Sequence, residues 1–316
     1  MAGASRARLL AAFAVVYLVW GSTYLAIRFA IETMPPFAMA AMRFLLAGAI
    51  LISWSVARGA EWPAWTQWRS ALVIGGLLLL GGNGAVVWSE QRVPSSIAAL
   101  LVASMALWMV LLDWARPAGR RPGALVFAGL ALGLAGIALL VGVGGPALHG
   151  GVDRTGALVL VLGSLSWATG SLVSRAKPKP AVPLLAAGME MLAGGSLLLV
   201  ASFVSGELGT LRLSSVSMRS VLSFLYLVTA GSLLGYSTYA WLLRHASAAK
   251  VATYVYVNPV VAVFLGWAFA GEVITVRTIV ASAVIVAAVA LVTVSRSEAP
   301  PGPSCDAAEV GALDAA

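Results

Sequence analysis

Two charged residues stand isolated inside long apolar runs: Arg43 in AMAAMRFLLAG (38–48) and Glu190 in LAAGMEMLAGG (185–195). A charge in the interior of a bilayer is expensive and faces a cavity or a partner. Arg43 suits an anionic group on a substrate, and Glu190 suits a coupling proton or a substrate amine. The competing readings are a structural ion pair and an Arg43 that snorkels outward. Trp20, Tyr24 and Arg28 are spaced i, i+4, i+8 and share one helix face. Trp167, Ser171 and Arg175 repeat that spacing. Two such stripes facing each other would line a central cavity with rings and hydroxyls, whereas an interfacial belt better suits Arg28 and Arg175. Tyr254 lies one turn before Asn258 and Pro259 in a third apolar run. Proline removes a backbone hydrogen bond and frees a carbonyl, which fits a polar site with a hinge at Pro259, or a passive kink.

Other chemistries lack their residues. The single cysteine, Cys305, lies in a polar tail, and neither His149 nor His245 is near the centre of an apolar run. There is no HExxH motif, no paired intramembrane Asp and no Ser-His-Asp set. The expectation is a protein that is not an enzyme, with no metal and no cofactor.

The elements that carry these residues follow from composition. Of 316 residues, 60% are hydrophobic and 10% charged, where a soluble domain carries roughly 25% charged residues. Lipid is the solvent that tolerates this. At about 20 residues per crossing, ten spans are expected at 9–30, 37–57, 70–89, 95–115, 123–143, 156–174, 182–204, 219–240, 248–269 and 276–295. Gly59 to Trp68 is expected as a loop whose three Trp sit at the interface. Residues 296–316, rich in Ala, Pro and acid, are expected to be a disordered tail. In a chain of this kind the net charge of +8 reflects topology rather than nucleic-acid binding. Of the 20 Lys and Arg, 13 fall on one side and 6 on the other, with Arg43 inside a span. The richer side is the cytoplasm, so both termini are expected there.

The sequence also repeats itself. Shifted by 147, residues 18–51 match at ten positions, among them Trp20 with Trp167, Arg28 with Arg175, Pro36 with Pro183 and Met42 with Met189, and Arg43 falls on Glu190. Shifted by 153, Gly82 meets Gly235, Trp88 meets Trp241 and Trp114 meets Trp267. The first repeat is taken as 1–147 and the second as 148–295. Each holds five spans, an odd number, so the second must run inverted. Inverted repeats are a hallmark of transporters that alternate access to a central site. The expected fold is an all-α membrane protein with ten transmembrane helices arranged as two inverted five-helix repeats.

Trp20–Tyr24 (WGSTY), Met42–Phe44 (MRF), Met189–Gly195 (MEMLAGG), Tyr254–Ala262 (YVYVNPVVA) and Gly271–Glu272 together resemble the drug/metabolite transporter superfamily, in particular its EamA-type ten-helix exporters. The resemblance covers roughly residues 9–295. It implies export of small metabolites or drugs across a bacterial inner membrane, with a lipid bilayer and a small-molecule substrate as partners and protons as the candidate coupling ion. Channel, lipid flippase and non-transporting scaffold are the alternatives. Substrate, coupling ion, direction and oligomeric state stay open at this point. One departure from the family pattern is Ala106, which stands where the repeat aligns with Pro259 and predicts a straighter fourth helix.

Overall fold

The computed structural model describes residues 5–116, 123–141, 152–246, 251 and 253–297. Those residues are helical throughout, with turns between the helices. Seven helices are long and apolar enough to cross a membrane. They are α1 (Arg6–Ala30), α2 (Pro36–Ala57), α3 (Trp65–Ser89), α4 (Ser95–Trp114), α6 (Arg154–Ala176), α7 (Pro183–Val204) and α8 (Met218–Leu242). Three further apolar helices are α5 (Ala124–Val141), α9 (Tyr254–Ala270) and α10 (Val276–Ser297). Of the expected tail, Arg296 and Ser297 continue α10, and the remainder lies outside the described residues. Lys250 and His149 also lie outside them. The surface of the bundle is apolar: Leu18, Leu72, Val200, Phe203 and Phe264 are all exposed, as lipid-facing side chains are in a bilayer.

The helix starts follow from local chemistry. Pro36 and Pro183 open α2 and α7, where the missing N–H of proline costs nothing. The Asp153 carboxylate accepts from the Gly156 amide (2.6 Å) at the start of α6. α3 begins at Trp65, because the Gln67 side chain reaches back to the Ala64 amide (3.0 Å). Trp65 and Trp68 are therefore helical, and only Trp62 of the expected three lies in the loop.

Three spans depart from a regular α-helix. α3 passes through a π-helical stretch at Gly76–Asn83, and α8 through one at Leu227–Leu234. α4 is the third, and it corrects the expectation of a straighter helix: it is interrupted at Ala103 and Ser104, between Ser95–Val102 and Met105–Trp114. The Ser104 hydroxyl donates to the Leu101 carbonyl (2.6 Å), and Leu107 N–H donates to the Ser104 carbonyl (2.9 Å). A serine hydroxyl that takes a backbone acceptor tightens the local turn, so a serine breaks α4. α9, which contains Pro259, runs unbroken from Tyr254.

α7 packs along α2 on one side and against α3 on the other. Glycines let the backbones touch. A Cβ on Gly48 would lie 2.8 Å from the Gly188 carbonyl, and one on Gly194 would lie 2.7 Å from the Gly75 carbonyl. Such close crossings replace the hydrophobic drive that lipid does not supply. α1 lies against α8 and α9, α6 against α3 and α4, α4 against α9, and α5 against α10. The backbone of Glu190 lies against α3, where a Cβ on Gly75 would sit 2.5 Å from the Glu190 carbonyl.

Candidate functional site

α1, α2, α8 and α9 bring an aromatic cluster and one cation together at mid-bundle. The Trp20 ring lies 5.5 Å from that of Tyr236, 5.1 Å from Tyr239 and 5.1 Å from Tyr254. The Tyr239 and Tyr254 rings are edge-on at 5.9 Å. Trp20 Nε1 donates to the Gly231 carbonyl (3.1 Å). That carbonyl belongs to the π-helical stretch of α8, and Trp20 also packs flush on Gly235. Beside the cluster, Arg43 is 4% exposed, its Nε donates to Ser232 Oγ (3.0 Å), and its NH2 faces Gly231. Arg43 is thus buried rather than snorkelling, and among the described residues no ion pair joins it to Glu190. Tyr236 lies within electrostatic reach of both Arg43 and Glu190.

Glu190 is half-buried and borders a narrow cleft with Gln67, Ala71, Lys179, Pro180 and Met189. It thus sits between the aromatic cluster and the basic end of the bundle that Lys179 marks. Tyr24 lies on the other side of the cluster, within electrostatic reach of Tyr254 and Glu90. Asn258 is buried. With its amide nitrogen turned toward acceptors it donates to the carbonyls of Tyr17 and Tyr254 (3.2 Å each), and Tyr17 bonds Thr253 through its hydroxyl. Asn258 and Tyr17 therefore bind α9 to α1 next to the cluster.

The end of the bundle opposite Lys179 is held by carboxylates. Gly271 takes the left-handed conformation (φ +66°), which favours glycine, and turns the chain back so that Glu272 lies on Gly266. Glu272 Oε1 accepts from the amide and the hydroxyl of Ser95 (2.7 Å each). Its Oε2 accepts from the Ser96 amide (3.0 Å) and the Ser96 hydroxyl. A carboxylate satisfies free N–H groups at a helix N-terminus and complements the helix dipole. Glu207 does the same for α2, with Oε2 accepting from the Ala38 amide (3.1 Å). Burial raises its carboxyl above the usual carboxylate range, against the hydrogen bonds from Ala38, Phe37 and Ser202. Arg28 Nη1 donates to the main-chain carbonyl of Glu90 (2.8 Å). A cleft of about 290 Å³ here is lined by Arg28, Arg92, Pro94, Gly271 and Glu272 among others.

Of the residues singled out by sequence, the structure gathers Trp20, Tyr254 and Arg43, with Tyr24, Asn258, Pro259 and Glu190 close around them. It does not bring Trp167 and Ser171 to the same cluster. Trp167 packs on Gly82, where a Cβ would lie 2.6 Å from its ring, and the Ser171 hydroxyl donates to the Trp167 carbonyl one turn back (2.9 Å). Tyr236, Tyr239 and Ser232 escaped the sequence reading. Their signal was the polar run GSLLGYSTY (231–239) inside an otherwise apolar span.

Comparison with known proteins bears on what such a site does. The model of the EamA-like transporter family matches twice, at residues 7–142 and 154–294. The chain is 40% identical over 290 residues to the inner membrane transporter YedA of Escherichia coli (strain K12), covering 91% of each. It is 26% identical over 278 residues to a probable amino-acid metabolite efflux pump of Salmonella typhimurium, covering 83% of this chain and 86% of that one. A solved crystal structure shares the fold, with a TM-score of 0.61 at 21% identity over 92% of this chain and 99% of that one.

Proposed function

Because the chain belongs to the EamA-like transporter family, we propose that it exports small amino-acid-like or amphipathic metabolites across a bacterial inner membrane by alternating access, with protons as the coupling ion. The observation that carries this reading is the buried Arg43 beside the Trp20, Tyr236, Tyr239 and Tyr254 rings, with Glu190 within electrostatic reach of Tyr236. A substrate carboxylate pairs with the Arg43 guanidinium, which is built for planar recognition of such groups. An apolar or cationic portion lies against the rings. Glu190, on the Lys179 side, takes the coupling proton or the substrate amine.

The ten spans form two five-helix repeats related by an axis in the membrane plane, with both termini cytoplasmic. Several pairings support this. The family matches each half separately. Trp20 packs on Gly235 and Trp167 on Gly82, two contacts between repeat-equivalent residues. Both α3 and α8 carry a π-helical stretch of 8 residues. The pairing of α1 with α8 and α9 is mirrored by that of α6 with α3 and α4. In this orientation Arg28, Glu90, Glu207 and Glu272 lie at the outer end and Lys179 at the inner end.

The test is flux of a panel of amino acids, their metabolites and amphipathic amines from liposomes holding the purified chain. Saturable, mutually competitive flux of one class supports the reading. Flux that never saturates identifies a channel, movement of labelled phospholipid a flippase, and no flux of any compound a scaffold.

A further inference from the structure

The carboxylate of Glu90 is fully buried, and neither of its oxygens has a hydrogen-bond partner. An ionised carboxylate left in that state is one of the most expensive arrangements in a protein. Among the described residues no cation comes within ion-pair distance of it. From α1, Arg28 donates to the main-chain carbonyl of Glu90, and both Arg28 and Tyr24 lie within electrostatic reach of its carboxylate. On its own segment Arg92 is stacked over the Trp88 ring (4.2 Å) and Gln91 donates to the Trp88 carbonyl (3.0 Å). α6 brings Asp153 and Arg154 to this end, with Asp153 turned to the Gly156 amide. From the end of α9 comes a second carboxylate, Glu272, within electrostatic reach of Glu90.

The environments of the two carboxylates are opposite. Glu272 accepts four hydrogen bonds from Ser95 and Ser96, which suits a full negative charge. Glu90 accepts none. When two neighbouring carboxyls compete for ionisation, the solvated one keeps the charge and the bare one keeps the proton. A metal cation fits Glu90 less well. Such an ion needs several oxygens at once, no group of three or more His, Cys, Asp and Glu gathers among the described residues, and Arg28 repels it.

We propose that Glu90 is a proton-binding site at the outer end of the bundle, holding its proton while Glu272 clasps the start of α4, and that it acts with Glu190 in coupling transport to pH. The proton site stands on the local geometry alone, whereas the coupling role rests on the proposed transport function.

The test is infrared spectroscopy of the purified full chain in lipid, reading the C=O absorption of protonated carboxyls. At neutral pH the wild type is expected to show such an absorption. The component that belongs to Glu90 should be lost in Glu90→Gln, persist in Glu190→Gln and ignore exchange of potassium for sodium. Glutamine reproduces the shape and neutrality of a protonated glutamate, so Glu90→Gln should fold and unfold at a temperature no lower than the wild type. An unchanged absorption in Glu90→Gln, its loss on adding sodium, or a Gln variant that does not fold would each overturn the proton site. If the absorption behaves as expected but flux through Glu90→Gln keeps the pH dependence of the wild type, the coupling role is overturned and the site stands. Absence of any flux in the wild type, with the infrared result intact, would be the failure of the transport reading instead.

Discussion

Arg43 commits one side-chain hydrogen bond, to Ser232, and directs part of its guanidinium at Gly231, where no side chain competes for it. A guanidinium has five donors in a fixed fork, so donors remain for a substrate carboxylate. Arg43→Lys keeps the charge and loses the fork, and Arg43→Gln loses both. A charge-assisted hydrogen bond is worth about 1.5–3 kcal/mol, which predicts a rise in KM of roughly 10- to 150-fold for Arg43→Gln and a smaller one for Arg43→Lys. Uptake kinetics check the order, and equal KM values in all three proteins would remove Arg43 from the site. Trp20→Ala should raise KM for aromatic or amphipathic substrates more than for small ones, measured in the same assay. Arg43, Trp20 and Tyr254 were legible in the sequence because a lone charge or a ring–hydroxyl pattern in an apolar run is conspicuous. Tyr236 and Tyr239 were not. They follow a π-helical stretch, whose wider turn shifts the face that a 3.6-residue period assigns. Glu90 was missed for another reason: at the end of an apolar run a carboxylate reads as solvated, and only the packing of neighbouring helices buries it.

Among the elements, α7 depends most on small residues, since its backbone touches α2 at Gly188 and α3 at Gly194. A Cβ on Gly48 would sit 2.8 Å from both the Gly188 carbonyl and the Leu192 amide. The obstacle is backbone, which cannot swing aside. Overpacking of this sort costs about 1–3 kcal/mol or more. Gly48→Val should therefore lower thermal stability in detergent, while Gly59→Ala at an open turn with φ +87° should cost less, about 1 kcal/mol by glycine conformational preference. Unfolding curves of the two variants test the ranking. The apolar spans themselves were legible from length and composition. The break in α4 was not, because Ser104 acts through its own hydroxyl on the backbone rather than through proline, and a serine in an apolar run carries no such signal.

At the scale of the whole molecule, the lysine and arginine distribution predicts the orientation. With 13 of the 20 on one side, a reporter fused after residue 296 should behave as cytoplasmic, and a periplasmic signal would remove both the orientation and the even number of crossings. The carboxylate clasps and a cleft of about 290 Å³ lie at one end of the bundle, and the narrow cleft beside Glu190 lies near Lys179 at the other. In the proposed mechanism, substrate movement through this bundle is driven by protonation at Glu190. The most direct measurement is flux under an imposed pH gradient in liposomes holding either the wild type or Glu190→Gln, a substitution that keeps size and hydrogen bonding but cannot ionise. The wild type should transport saturably and faster with the gradient, while Glu190→Gln, inserted and folded at wild-type levels, should lose the pH-driven component. A variant with unchanged rate and unchanged pH dependence would contradict the claim and leave Glu190 a structural residue.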